Sequence, residues 1–446
     1  MNGPIHASAL FENLLVDPAN ATNPLTQSAS RRFAHTKRGD EPLVALLNHV
    51  FDEAVSMSAS DVHFQDAVAY TTIRYRVNGV LRDIYFLHRE AGQEIDEKMR
   101  ARCKLDPTER LAPLDGKFMF DLGDRMLEVR VSVLQTKHGQ SIVCRLLDQA
   151  NAGRSVDAVH MRDDVRETFL WALGRSEGLA LVSGPTGSGK TSTLYAGLNH
   201  LNERERHIVT AEDPIEYDLP GTTQVQVEPP QRSYAKIMRS FLRQDFDAGL
   251  IGETRDHETA AITVEASNTG HMMMTTIHTN SGPSVVTRML NLGVEPYAFG
   301  SAIVAILSQR LLRKLCDCRI DYSPSDTERT LLAARGIPVD RPFFRANRDG
   351  CPKCRPKALE AHPLEVQTAL AHRLGVGFRG RVPVIAILRG TNELRTAIQR
   401  VDYPAIMAAC LNQPQYRSLP VTALDLCTEG LVDFHEALAV SEGDAQ

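Results

Sequence analysis

No stretch of this chain comes near the ~20 unbroken apolar residues that a membrane-spanning helix needs. The longest apolar runs, such as Ser301–Leu307, are short. Met1–Leu15 lacks the basic-then-apolar order of a secretory signal. Any membrane association is therefore expected to be peripheral and through partners. An excess of positive charge is missing as well. Against 55 Asp and Glu stand 50 Lys and Arg, a formal net charge of −5. That balance leaves no global footprint for wrapping nucleic acid, and no direct DNA binding is expected. Eight cysteines in 446 residues are too few for a disulfide scaffold. Cys103, Cys144, Cys410 and Cys427 stand singly and read as small buried apolar residues. Cys316, Cys318, Cys351 and Cys354 fall in pairs. A reducing, cytosolic compartment fits this usage. Internal repeats and low-complexity tracts are absent.

The length predicts two to four compact units. Residues 1–40 are polar, with a Ser/Thr/Asn/Arg-rich run from Asn20 to Gly39, and are expected to be a weakly ordered leader. In Glu41–Ser56, Leu43, Leu46, Leu47, Val50 and Ala54 recur at helical spacing. Strand-like runs follow at Thr71–Val77, Lys117–Phe120 and Leu127–Leu134, and Asn78-Gly79 between two apolar runs predicts a hairpin. An α+β domain is thus expected over 41–148, with a linker over 149–158. From Val159 onward, apolar runs alternate with helical periods: Leu179–Ser183, Thr191–Leu201, His207–Ala211, Tyr234–Leu242, Ala248–Ile251, Glu258–Ala266 and Met272–Ile277. This alternation predicts an α/β domain over 159–446 with a mainly parallel sheet covered by helices. A cysteine-containing subdomain is expected at 316–381, followed by a helical end.

Gly184-Pro185-Thr186-Gly187-Ser188-Gly189-Lys190-Thr191 fits G-x-x-x-x-G-K-[ST], with Ser192 next, between a predicted strand and a predicted helix. The glycines let backbone N–H groups turn onto phosphates, and the helix directs its positive end at them. Lys190 is expected on the β- and γ-phosphates and Thr191 on Mg²⁺. Three further stretches end successive predicted strands: Glu212-Asp213-Pro214-Ile215-Glu216, Leu250-Ile251-Gly252-Glu253, and Thr269-Gly270-His271 with His278-Thr279-Asn280. In open α/β sheets ligands bind at the carboxyl ends of the strands.

In this order the four stretches resemble the phosphate loop, aspartate box, Walker B strand and histidine box of the secretion ATPase superfamily, which drives type II secretion and type IV pilus assembly. Ala59-Ser60-Asp61-Val62-His63, Arg74–Gly79, Glu109-Arg110, Asp115-Gly116 and Val129–Ser132 resemble its N-terminal signature. The resemblance runs from about Glu41 to Val432. It implies a P-loop (RecA-like) domain preceded by a smaller α+β (PAS-like) domain. It also implies a Mg²⁺-dependent ATPase working as a homo-hexamer at the inner membrane face, on a membrane platform protein. Residue by residue, Glu216 aligns with the acid that polarises the attacking water and Glu253 with the Walker B acid near Mg²⁺. His271 and His278 align with the coupling histidines, and Arg130 and Arg145 with N-terminal-domain arginines that reach the nucleotide. Conjugation-type transfer, pilus retraction and a non-catalytic nucleotide-binding scaffold remain as alternatives. The long extra N-terminal domain of many members is expected to be missing, so docking to the platform is not inherited from them.

Three departures stand out against that family. Its Asp-Pro-Asp before Walker B reads Asp245-Phe246-Asp247, for which altered packing is expected. Its Pro-Gln-Asp-Gly-Arg reads Pro113-Leu114-Asp115-Gly116-Lys117, and lysine lacks the guanidinium fork. Assembly-type members carry two C-x₂-C pairs where this chain has Cys316-Asp-Cys318 and Cys351-Pro-Lys-Cys354, followed by an insert from Arg355 to Val376. Four thiolates in two pairs are the ligand count of a structural Zn²⁺ site. His362 and His372 in the insert are spare ligands. Retraction members lack the pairs, so the resemblance favours assembly.

Overall fold

A computed structural model of the chain describes residues 40–148, 153–202, 205–355 and 375–440. The leader up to residue 39, residues 149–152, and the insert from 356 to 374 with His362 and His372 lie outside the described residues. Contacts divide the chain into two compact units, Met1–Gln149 and Ala150–Gln446.

In the first unit the elements run α1 (Asp40–Ser56), β1 (Ala59–Asp66), β2 (Tyr70–Val77), β3 (Val80–His88), α2 (Arg89–Cys103), β4 (Leu114–Asp121), β5 (Met126–Thr136) and β6 (Gly139–Asp148). The strands form one antiparallel sheet in the order β3-β2-β1-β6-β5-β4. Asn78 and Gly79 join β2 to β3 with positive φ at both residues, 51° and 82°, the backbone a type I′ turn requires. Because side chains alternate across a strand, Val62, Phe64, Ile73, Tyr75, Val129, Val131, Val133 and Ile142 fall on one face. There they pack with Leu43, Leu46, Leu47, Val50 and Phe51 of α1 and Ile95 and Met99 of α2. Phe51 is fully buried, with ring centroids 5.3 Å from Phe120, 5.7 Å from Phe118 and 6.5 Å from Phe64. Phe51→Ala should cost about 3–5 kcal/mol of this unit's stability, cavity included. Urea unfolding of the variant checks it, and a midpoint equal to the parent's would show that the aromatic cluster contributes nothing.

In the second unit Val156 of the sequence-predicted linker is buried in the core, so residues 153–158 belong to the fold rather than to a free connection. The elements are α3 (Asp163–Leu173), β7 (Gly178–Ser183), α4 (Lys190–Leu201), β8 (Ile208–Glu212), β9 (Thr222–Gln226), α5 (Tyr234–Phe241), β10 (Ala248–Ile251), α6 (His257–Ser267), β11 (Met272–Ile277), α7 (Gly282–Asn291), α8 (Pro296–Ala302) and β12 (Ile303–Leu315). Then come β13 (Ile320–Tyr322), α9 (Asp326–Ala334), β14 (Phe343–Arg345), β15 (Phe378–Arg389), α10 (Asn392–Gln399), α11 (Tyr403–Leu411), α12 (Leu419–Thr428) and α13 (Phe434–Ala439). Seven strands form a sheet in the order β15-β12-β7-β11-β10-β8-β9, parallel except where β15 runs against β12. β7, β8, β10 and β11 are buried along their whole length. That is why they read as short unbroken apolar runs: helices cover both faces of a parallel sheet. β13 and β14 form a small ribbon. Leu332, Ile337 and Phe343 beside it share one core with α12, α13 and β15, so residues 316–381 are packed into this unit rather than set apart from it.

Candidate active site

The parallel register sets the site. Ile277 at the end of β11 lies opposite Ser183 at the end of β7, and Ile251 at the end of β10 lies opposite Thr275. The residues that follow these strands therefore emerge together at one edge. From Ser183 the chain turns through Gly184 to Gly189, and Lys190 opens α4. Gly184, Gly187 and Gly189 have φ of 151°, 76° and 86°. A Cβ at Gly184 would stand 2.3 Å from the Gln309 carbonyl, so the tight approach of loop to β12 needs glycine. The Lys190 ammonium donates to the carbonyls of Gly184 (2.8 Å) and Pro185 (3.0 Å). Burial pulls its pKa down, Glu253 acting against this and Arg310 adding to it.

At the end of β10, Glu253 receives Arg255 Nη2 at 2.6 Å on one oxygen and stands 3.1 Å from His278 Nε2 on the other. Burial would raise its carboxyl, but the Arg255 hydrogen bond and the charges of His278, Arg255 and Lys190 outweigh that and hold it below its ordinary range. Glu253 is thus an anion at neutral pH. Thr254 Oγ1 meets Thr275 Oγ1 at 2.8 Å and Thr276 Oγ1 donates to the Gly252 carbonyl at 2.6 Å. These bonds fasten the acid-bearing turn to β11, which carries His278. Lys190, Glu253 and His278 are therefore brought to one edge.

His271 is not. It precedes β11 and so stands at the opposite edge of the sheet, about 20 Å away at ~3.3 Å per residue. Its ring stacks on Phe246, centroids 4.2 Å apart, and its Nδ1 lies 3.1 Å from the Ala266 carbonyl. This corrects the expectation that both histidines serve the nucleotide directly. It also accounts for Phe246, which fills the core and covers His271 where the family has proline.

Arg130 and Arg145 belong to the first unit. They are register partners on β5 and β6, Lys117 lies opposite Arg130 on β4, and Asp61 lies opposite Arg145 on β1. Arg130 Nε is 3.1 Å from Glu128 and Arg145 Nε 3.3 Å from Asp61. This row occupies the sheet face opposite α1 and α2.

Several site residues have no place in the sequence reading. Gln309, 1% exposed, donates to the Ser188 carbonyl at 2.8 Å and accepts from Thr193 Oγ1 at 2.8 Å, tying the phosphate loop and α4 to β12. Arg310 donates to Asn280 at 3.1 Å beside Lys190. Glu212 is buried and takes hydrogen bonds from Thr210, Gln224 and Tyr195. A glutamine inside the apolar run 303–312 is the one signal that could have drawn attention to Gln309.

Two groups of ligand fit these residues. For a nucleoside triphosphate with Mg²⁺, the loop offers Lys190, half-buried Thr191, the glycine cradle, and Ser188, whose buried Oγ has no partner among the described residues. For a metal, the sulfurs of Cys316, Cys318, Cys351 and Cys354 all lie within 4.8 Å of one another. Cys316–Cys351 is 3.6 Å, Cys318–Cys354 3.7 Å and Cys351–Cys354 3.9 Å. Thiolates ~2.3 Å from a tetrahedral ion stand about 3.8 Å apart, and a disulfide at ~2.05 Å is excluded by these separations. The short Cys316-Asp317-Cys318 spacing closes because the backbone turns there. Asp317 points away to Lys353 at 2.8 Å.

A strand–loop–helix phosphate cradle with a lysine, an ionised acid and a histidine at the carboxyl edge of a parallel sheet defines a P-loop nucleoside triphosphatase. The chain belongs to the type II/IV secretion system protein family, whose model matches residues 36–439. It is 35% identical over 405 residues to the type II secretion system ATPase E of Vibrio cholerae, covering 90% of this chain and 76% of that one. It is 33% identical over 419 residues to the type IV pilus assembly ATPase PilB of Pseudomonas aeruginosa, covering 93% and 70%. Its fold is similar to the ATPase DotB of Legionella pneumophila, with a TM-score of 0.62 over 88% of this chain and 94% of that one at 17% identity. The chain is an ATPase of this family. Among the described residues no helix is long and apolar enough to cross a membrane.

Proposed function

We propose that six copies of this chain form a motor at the cytoplasmic face of the inner membrane. ATP hydrolysis there drives a platform protein to add pilin-like subunits to a type IV pilus or a type II secretion pseudopilus. The observation that carries the reading is the meeting of Lys190, Glu253 and His278 at one sheet edge in a chain of this family. Lys190 and the loop amides hold the β- and γ-phosphates, and Thr191 and Glu253 hold Mg²⁺. The metal, when bound, neutralises phosphate charge. Glu216 polarises the attacking water. His278, bonded to Glu253, reads the state of the γ-phosphate. Arg130 and Arg145 supply cations from the first unit, which links hydrolysis to domain motion. A strain lacking the gene should build no filament, and phosphate release by the purified chain should require Mg²⁺. A strain that still builds its filament but cannot withdraw it would overturn assembly in favour of retraction.

The four thiolates are proposed to hold a structural Zn²⁺ that ties the turn after β12 to the loop at 351–354 without a larger core. Metal analysis of protein purified without chelator should find about one Zn²⁺ per chain, and Cys351→Ser should lose it. Full assembly activity in metal-free protein would remove the cysteine support for assembly.

A further inference from the structure

Glu216 lies on the loop that leaves β8, and nothing in that loop's own sequence holds it still. What holds it is α4, the helix that Lys190 opens. Tyr195, 2% exposed, projects from α4 and donates its hydroxyl proton to the Glu212 carboxylate. The same oxygen faces the backbone N–H groups of Glu216, at 3.4 Å, and of Tyr217. A phenol has one proton and two lone pairs, and here all three are used. Glu212 in turn accepts from Thr210 Oγ1 at 2.6 Å and Gln224 Nε2 at 3.2 Å. Gln224 returns to the loop, donating to the Tyr217 carbonyl at 3.1 Å and accepting from Leu219 N at 2.7 Å. The Tyr195 ring packs edge-on against Tyr217, centroids 6.1 Å apart.

We propose that Tyr195 is a positioning residue for hydrolysis: it seats the Glu216 loop on the helix that binds the phosphates. Lys190 and Tyr195 are five residues apart on one helix, ~7.5 Å along its axis. The phosphate and the acid that addresses its water thus share one rigid frame, and their separation does not depend on loop motion. Reaction rate is steeply sensitive to such placement, a 1 Å error costing ~10²-fold. Burial and the neighbouring Glu212 carboxylate keep the phenol protonated far above its usual range, so the clamp holds throughout the working pH. This proposal rests on the reading of Glu216 as the acid that polarises water.

The test is steady-state phosphate release by full-length protein carrying Tyr195→Phe, Glu216→Gln, or both. The hydroxyl's loss should lower kcat at least ~10-fold with the KM for ATP within ~2-fold, because only groups that act on the chemical step divide the constants in that way. The double variant should be no slower than Glu216→Gln alone, since Tyr195 has nothing left to position. Glu216→Gln at parental rate would overturn the reading of Glu216 itself. Glu216→Gln inactive with Tyr195→Phe at parental kcat would overturn the positioning role and leave Glu216 in place. A raised KM, or a loss that multiplies with that of Glu216→Gln, would mark Tyr195 as structural only and overturn the proposal. The same pair is measured in a Glu212→Gln background, where removing the hydroxyl leaves no buried charge short of a donor. A kcat loss on adding Tyr195→Phe there supports the role, and none refutes it.

Discussion

Lys190→Ala should reduce ATP turnover by at least ~10²-fold, the usual loss when a preorganised charge facing developing negative charge is removed. The side chain is held by two loop carbonyls, so its ammonium is already aimed along the cradle before any phosphate arrives. Beside it stand a second cation, Arg310, and the Glu253 anion. Alanine removes the cation while the loop's glycine conformations and the Gln309 tie remain, so folding should be retained and the loss should fall on binding and chemistry. Phosphate release together with nucleotide titration checks this. Turnover within twofold of the parent would contradict the assignment of the phosphate loop.

Arg130→Ala is the second large effect expected. An arginine that meets the transferring phosphoryl group spreads over its transition-state charge and is worth ~10³–10⁵ in rate. Turnover should therefore fall by about 10³-fold while nucleotide affinity changes little. Arg130 shares its sheet face with Lys117 and Arg145 and is paired with Glu128. The pair is partly exposed, and such pairs contribute ~0–1 kcal/mol, so losing it should not unfold the unit. A pure loss of affinity at unchanged maximal rate would show that Arg130 binds only ground-state phosphate. If the arginine acts on a neighbouring subunit, mixing Arg130→Ala with Lys190→Ala chains should restore part of the activity. Absence of any rescue would place it within one chain.

The second unit's central strands and helices were legible in the sequence because each is a short-range pattern. β10 at Ala248–Ile251 and β11 at Met272–Ile277 coincide with their apolar runs, and α4 begins at the lysine of its motif. The strand β1 and the helix α2 were not read as such. β1 buries Val62 and Phe64 between polar neighbours, and α2 is mostly charged, with only a narrow buried stripe. Both depend on the sheet they pack against.

What the sequence determined by itself was the chemistry on offer: a phosphate cradle, acids and histidines after strands, four thiols in two pairs. Local spacing suffices for these, since a motif's residues are placed by one turn or one strand end. Which of them meet was decided only by the tertiary structure. Strand direction sends His278 to the nucleotide edge and His271 to the far one, where Phe246 covers it. The turn at Asp317 lets a C-x-C pair reach its distant partners. Tyr195, Glu212 and Gln309 carry no motif, and their roles arise because buried polar groups must find partners, and those partners lie on other strands and helices of the sheet.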